Sequence, residues 1–312
     1  MKKIYGIGET VFDIIFKNGV PQAGKAGGSM LNSMVSVGRA GLPACFISEY
    51  GKDSIGNLID RFLSENGVDT SYVNRYSSGN TTLAIAFLDE NNDASYTFYK
   101  NHQPGRAGTS WPVPERDSII LCGSFYSIWT GTHDRFCKLM KNARKEGAMV
   151  VYDPNFRKSH LSELPMLEPL IIENMGMADI VRGSDEDFKN IFGADNADDA
   201  YRIIMKYCPV LVYTSNDEGV YVRTTGFSGK FPVRKINPVS TIGAGDNFNA
   251  GMIASLFGNN IRPEDLARLG ADRWAELISP AVDFATDVCM SYENYISLPF
   301  ARRYRSASGD HI

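Results

Sequence analysis

The sequence predicts an α/β protein: a mostly parallel sheet with helices on both faces and a smaller β sheet beside it. Three observations carry this expectation. Short apolar runs rich in Val and Ile lack strict alternation, as strands do when both faces are covered. Segments of helical period lie between these runs, the rhythm of a parallel sheet built from crossover units. Two stretches break the rhythm, because each contains strand patterns with no helix between them.

Taken in chain order, the first strand is "KIYGIG" (3–8), followed by "TVFDIIFKNGVPQAGKAGG" (10–28), which reads as strand and turn. A helix is expected over 29–40, a strand over "ACFISEYG" (44–51) and a helix over 54–66. "TTLAIAFLDENNDASYTFYKN" (81–101) reads as a hairpin, two alternating runs around "DENND". Then come strand 118–123 and helix 132–146, where Phe136, Leu139, Met140 and Ala143 recur at helical spacing. Strands 148–153 and 178–181, helix 196–207, strand 210–215 and helices 244–257 and 273–289 complete the series. No linker or internal repeat divides the chain, so 1–312 reads as one domain. The helix-free stretches, about 10–26 and 81–108, form a candidate lid if they lie over the strand ends.

Composition excludes several function classes. A net charge of −4 with no basic run argues against a nucleic-acid partner or an anionic membrane. No run approaches the ~18 apolar residues of a membrane span, and Glu9 and Asp13 interrupt any signal-peptide reading of the N-terminus. The five cysteines are far apart with no C-x-x-C pair, so a reducing, cytoplasmic compartment is expected. The four histidines never fall at metal-ligand spacing, and no structural zinc site is expected.

The chemistry concentrates at "STIGAGDNFNAG" (240–251). A glycine-rich turn entering a helix presents unpaired backbone N–H groups and the positive end of the helix dipole to an anion. Gly243, Ala244 and Gly245 leave room for a phosphate to approach the backbone. This is neither a dinucleotide fingerprint, which needs a third glycine, nor a P-loop, which needs Gly-Lys followed by Ser or Thr. A plain helix-capping turn would look the same but for Asp246. A carboxylate that follows the turn directly is placed as a general base, which is what phosphoryl transfer to a hydroxyl requires.

At the other end of the chain, "GKAGGSMLNSMVSVGRAG" (24–41) has a tight turn at Gly27 and Gly28 and Asn32 in the first helical turn. Asn32 there either faces a cleft or caps the helix. Asp13 lies among Val11, Phe12, Ile14 and Ile15. It either points to solvent from an edge strand or is buried and needs polar partners, for which sugar hydroxyls are suitable.

Together these residues resemble the ribokinase-like (PfkB) sugar kinases over about residues 4 to 300. "TIGAGDNFNAG" (241–251) is similar to the family's C-terminal signature, "GGSMLNSMVSVGRAG" (27–41) to its N-terminal one, and Gly8, Glu9 and Asp13 to its opening pattern. The resemblance implies a three-layer α/β/α sandwich with a small β lid, and ATP- and Mg²⁺-dependent phosphorylation of a sugar hydroxyl. It implies Asp246 as base, the amides of Gly243, Ala244 and Gly245 as anion hole, and Asp13, Gly28 and Asn32 as sugar contacts. "YDPNFR" (152–157) is similar to a segment of fructokinases and 2-keto-3-deoxygluconate kinases, which implies phosphate or substrate contacts for Asn155 and Arg157. Arg157 also suits an oxyanion clamp by its place just past a strand, although a surface arginine in a loop would look the same. Phe98 and Lys100 on the hairpin align with a substrate-contact segment.

Several positions depart from the family pattern. "SDED" puts Ser184 and Asp187 where many relatives have Asn-x-x-Glu near the phosphates. "TSNDEG" puts Thr214, Asn216 and Gly219 near the nucleotide, with Asn216 replacing a glycine in a turn that Asn tolerates. Ser240 and "CMSYENYISLP" (289–299) differ from the regions that form the monovalent-cation site in ribokinases, so the resemblance does not carry a potassium requirement to this chain. The leading expectation is a sugar kinase, fructose first. The alternatives are a 2-keto-3-deoxygluconate or nucleoside kinase, or a catalytically weak sugar- or nucleotide-binding homologue. The resemblance also allows a homodimer through the lid.

Overall fold

A computed structural model describes residues 2–88, 94–101 and 110–308. Its strands are β1 (Ile4–Ile7), β2 (Val11–Lys17), β3 (Val20–Gly27), β4 (Ala44–Ile47), β5 (Glu49–Gly51), β6 (Val68–Asp69), β7 (Asn74–Tyr76), β8 (Leu83–Leu88), β9 (Ala94–Tyr99), β10 (Ile119–Gly123), β11 (Met149–Asp153), β12 (Ile180–Ser184), β13 (Leu211–Ser215), β14 (Gly219–Arg223) and β15 (Ser228–Phe231). Its helices are α1 (Ser29–Arg39), α2 (Ser54–Glu65), α3 (His133–Glu146), α4 (Leu164–Gly176), α5 (Asp185–Phe192), α6 (Ala197–Ile204), α7 (Ala244–Gly258), α8 (Ala271–Cys289) and α9 (Leu298–Ser308).

The main sheet runs β15-β14-β13-β12-β11-β10-β1-β4-β6. It is parallel from β13 to β6, and β14 and β15 extend it antiparallel. Successive strand residues feed two separate cores, the reason the apolar runs do not alternate with polar residues. Ile4, Leu121, Val151, Ile180 and Val212 pack with α1, α7 and α8, around the fully buried Trp274 and Phe284. Tyr5, Ile120, Val150, Val181 and Leu211 pack on the other face with α3 to α6, around Phe136 and Phe188. This is the expected layer of strands between two layers of helices. The α7–α8 contact depends on Gly251, where a Cβ would lie 2.5 Å from Pro280 O.

The helix-free stretches form a second sheet of four strands, β3-β2-β8-β9, as expected. β2 leaves the C-terminal end of β1 through Gly8, Glu9 and Thr10, and β3 runs directly into Gly28 and α1. The small sheet is thereby anchored at the C-terminal edge of the main one. The "DENND" turn at 89–93 and the lid portion at 102–108 lie outside the described residues.

Three expected elements have other bounds, and further elements were not anticipated. The 44–51 run is two strands, because the chain turns at Ser48 and β5 pairs with β7 in a separate two-stranded sheet. The strand expected at 178–181 sits at Ile180–Ser184, and the helix expected at 196–207 ends at Ile204. Helix α4 was not anticipated, since "LPMLEPLIIENMG" carries two prolines and little amphipathic signal. The antiparallel strands β14 and β15 were likewise unread. Gly219 (φ 129°) and Gly229 weaken any strand signal there.

Candidate active site

The parallel strands deliver their C-terminal ends to one edge of the sheet, and the chain order reverses between β1 and β10, where a crevice is expected. Glu9 follows β1, Ser124 follows β10, Asp153 ends β11, Arg182 lies in β12 and Thr214 in β13. Helices α1 and α7 enter the same region by their N-termini.

Residues 214 positions apart meet here: Asn32 Nδ2 donates to Asp246 Oδ2 at 2.8 Å. Ser33 Oγ secures the same junction by donating to Asp246 O at 2.8 Å. Both side chains are buried. Burial raises the Asp246 carboxyl to about 6, while the Asn32 hydrogen bond and the positive charge of Arg157 hold it from going further. Asn32 Oδ1 is buried without a partner among the described residues, an acceptor that a hydroxyl would satisfy.

The glycine turn has the geometry its sequence anticipates. Gly243 takes a left-handed φ of 79° and caps α7. The N–H groups of Gly243 and Gly245 have no backbone partner among the described residues. The Ala244 N–H, in contrast, donates back to Thr241 O at 3.2 Å, so that amide is partly engaged within the turn. Ser240 Oγ accepts from Ile242 N at 3.2 Å and braces the approach to it.

Beneath the turn lies a polar network that the sequence reading did not assemble. Asp153 accepts from Arg182 Nη1 at 2.8 Å and from Asn249 Nδ2 at 2.6 Å. Arg182 Nη2 donates to Thr214 Oγ1 at 2.9 Å. The guanidinium lies close to Gly245, where a Cβ would meet Nη1 at 3.0 Å, and over the ring of Phe248. Arg182 Nε and Asn249 Oδ1 are buried without partners among the described residues. A fixed cation therefore stands beside the open N–H groups of the turn. The signals for it were a charge inside the apolar run "ADIVRGS", a carboxylate at the end of β11, and Asn249 three residues after Asp246 on the same helix face.

The other expected residues fall into three groups. Asp13 lies in the interior strand β2, with its Oδ2 packed on Gly27, where a Cβ would come within 2.1 Å. Burial raises its carboxyl to about 6, opposed by Lys25. Gly28 starts α1 at φ 127°, and a Cβ there would meet Glu9 O at 2.4 Å, so only glycine fits. Arg157 and Lys100 are exposed, and both act electrostatically on Glu9. Lys100 lies over the ring of Phe98, which is itself half-exposed on β9. Glu9, raised by burial and bonded by Ser124 Oγ at 3.1 Å, is a crevice residue the sequence reading placed only in a pattern. Ser124 holds a left-handed φ of 53°, a strained backbone at the crevice floor.

The third group comprises the residues expected on the nucleotide side. Asn155 takes φ 43° and donates its backbone N–H to Asp153 Oδ1, which shapes the loop after β11. Asn216 (φ 31°) and Gly219 (φ 129°) both adopt positive φ, so the turn survives the replacement of a glycine by Asn. Ser184 and Asp187 also serve the local backbone. They form a reciprocal capping box on α5, and Asp187 Oδ1 also accepts from Phe156 N at 2.6 Å. Ser184 and Asn216 line a cavity of about 440 Å³ with Asp185, Glu186, Lys189 and Asp195. Among the described residues, one cluster has metal-ligand chemistry: His133, Cys137 and Glu173 on α3 and α4. His133 there is satisfied by Ser127 O and Glu173.

Comparison with known proteins gives a consistent picture. The family model described as pfkB family carbohydrate kinase matches residues 1–272. A probable fructokinase-4 of Arabidopsis thaliana is 25% identical over 249 residues, 78% of this chain and 76% of that protein. Among solved structures, aminoimidazole riboside kinase from Salmonella enterica, complexed with aminoimidazole riboside and an ATP analog, superposes with TM-score 0.81 at 19% identity. It covers 98% of this chain and 100% of its own. Fructokinase from Vibrio cholerae O395, with fructose, ADP and calcium ion bound, superposes with TM-score 0.81 at 20% identity, covering 97% and 99%.

Proposed function

The chain belongs to the pfkB family of carbohydrate kinases, and on that premise we propose that it transfers the γ-phosphoryl group of ATP to a hydroxyl of a small sugar, fructose first. The observation that carries this reading is the buried Asn32–Asp246 pair beside the open N–H groups of the glycine turn. Asp246 accepts the hydroxyl proton as the sugar oxygen attacks phosphorus, the bond to the bridging oxygen breaks, and ADP leaves. Gly243 and Gly245 N–H, with Ala244 contributing as its turn bond loosens, receive the charge on the moving phosphoryl group. Asn32, Asp13 and the open backbone at Gly28 hold sugar hydroxyls.

Arg182 is the further cation for this charge, and Thr214, Gly219, Asn155 and Asn216 shape the nucleotide side. The unpartnered N–H groups and buried guanidinium fit a polyphosphate. Asp153 and Asp187 are engaged by protein donors, so Mg²⁺ would arrive with the nucleotide, and Asp153, Asp187 and Ser184 are the residues that would hold it. Its chemistry is to neutralise phosphate charge.

Glu9 bears on substrate class. Lys100 and Arg157, the exposed cations that could receive a sugar acid, act electrostatically on the buried Glu9 carboxyl, and on that ground a neutral sugar is the first choice. Turnover over a panel of fructose, glucose, ribose, 2-keto-3-deoxygluconate and nucleosides, followed by ADP release, tests this. Preference for the sugar acid would overturn the Glu9 argument, and no turnover on any sugar would overturn the kinase reading. The pH profile offers a second check. With Asp246 and Asp13 both raised to about 6, kcat/KM is expected to fall on acidification through that pH and to plateau above it. An acid limb near pH 4 would remove Asp246 from the role of base.

A homodimer through the lid is part of the same proposal, since β9 is an outer strand and Phe87, Phe98 and Tyr99 are exposed on that sheet. No helix among the described residues is long and apolar enough to cross a membrane. The free, buried cysteines support a reducing, cytoplasmic setting.

A further inference from the structure

We propose that His133, Cys137 and Glu173 form a binding site for one thiophilic divalent ion of the zinc(II) class, held between α3 and α4. These helices belong to the layer opposite α1 and α7. His133 opens α3, Cys137 lies one turn later on the same helix face, and Glu173 comes from α4. Their donor atoms all lie within 4.8 Å of one another. His133 Nε2 is 3.1 Å from Glu173 Oε2 and 3.4 Å from Cys137 Sγ. Histidines compared only with one another show no metal-ligand spacing, so the set emerges only when the cysteine and the neighbouring helix are included.

The imidazole is oriented for this role. Its Nδ1 lies 2.9 Å from Ser127 O. A carbonyl oxygen only accepts, so Nδ1 carries a proton, and in the neutral ring Nε2 presents its lone pair. Asn174 Nδ2 donates to the same carbonyl at 3.1 Å and fixes it in place. A backbone carbonyl on the far nitrogen is a common partner of a metal-bound imidazole. Nε2 then meets a carboxylate oxygen, two acceptors in contact, so a cation must stand with them, either a proton or a metal ion. A proton needs only those two atoms. The Cys137 sulfur, a third donor on the same nitrogen, favours the metal.

The donor set and its spacing suit zinc. Zinc–ligand bonds of about 2.0–2.3 Å at tetrahedral angles put N and O about 3.4 Å apart and N and S about 3.6 Å apart. The observed separations differ from these by a few tenths of an ångström. One sulfur, one imidazole and one carboxylate do not suit Mg²⁺, which takes oxygen ligands. His133 and Cys137 are buried, but the Glu173 side chain is 47% exposed, which leaves an entry path and a fourth position for water. Its Oε1 faces the exposed Lys141 Nζ at 3.8 Å, a contact that solvent can replace. On binding, the Cys137 thiol gives its proton to solvent and the thiolate joins the ion, which then ties α3 to α4.

The test is a cobalt(II) titration of the reduced, nucleotide-free chain, followed by zinc(II) competition, for wild type, Cys137→Ser and Glu173→Gln. Wild type is expected to take up one cobalt per chain, with a thiolate-to-cobalt charge-transfer band and the visible bands of four-coordinate cobalt, all removed by zinc. C137S should lose the charge-transfer band. Cys45, Cys122, Cys208 and Cys289 remain in that variant, so the loss assigns the thiolate. E173Q should bind zinc at least about tenfold more weakly. Zinc should also raise the Tm of wild type more than that of E173Q. If C137S does not fold, E173Q carries the test, because its altered side chain is half exposed. Absence of a cobalt band at one equivalent overturns the proposal and leaves the cluster sharing a proton. A band that persists in C137S, or an unchanged zinc affinity in E173Q, overturns it as well. None of these measurements involves sugar or nucleotide, so they decide the site whether or not the kinase reading holds.

Discussion

Asp246→Asn is expected to lower kcat by about 10²–10⁴-fold with little change in nucleotide affinity, because the amide keeps the Asn32 contact and the shape of the site but cannot accept a proton. The same change should stabilise the fold at neutral pH. Burial holds the Asp246 carboxyl at about 6, above its ordinary 3.8. A carboxyl raised in the folded state contributes stability while protonated, and that contribution is lost as pH rises through the folded value. The variant does not titrate, so its advantage should be absent below about pH 4, grow between about pH 4 and 6, and stay constant above, up to about 3 kcal/mol. Single-turnover kinetics and thermal melts across pH measure both effects. A near-normal kcat would remove Asp246 from proton transfer, whereas a lower Tm at neutral pH would show that its charge is better solvated than its burial indicates.

Arg182→Met should have the largest effect on stability. It would leave Asp153 buried and charged with only the Asn249 side chain and the Asn155 backbone N–H as donors, a loss of about 3–5 kcal/mol for breaking a buried pair. It would also remove the cation beside Gly245 and the bridge to Thr214, so phosphoryl transfer should fail even in the folded fraction. The double variant Asp153→Asn with Arg182→Met separates these effects. Removing both charges should restore much of the stability but not the activity. Urea midpoints read the first and initial rates per folded molecule the second. Recovery of activity in the double variant would confine Arg182 to a purely structural role.

Much of the site was legible because its residues are local in sequence. The glycine turn, Asp246 and the first turn of α1 each announce themselves within a few positions, since backbone conformation and helix dipole are local physics. Even the positive φ at Asn216 followed from residue type. Asp153, Arg182 and Asn249 were harder to see. Each lies in or beside an element whose apolar pattern was read for packing, and only the parallel register brings their side chains together.

The sequence by itself determined the alternation of strand and helix, the helix-free strands of the small sheet and the two glycine-led helix starts. These depend on periodicity, on glycine and on charge placed next to glycine. Tertiary structure alone decided that Asn32 would meet Asp246 across 214 residues, that Asp187 would accept from Phe156 N, and that Arg182 would stand buried under the turn. The physical reason is that burial and hydrogen-bond partners are properties of the packed sheet. A carboxylate acquires its role from what surrounds it, and those surroundings come from distant parts of the chain.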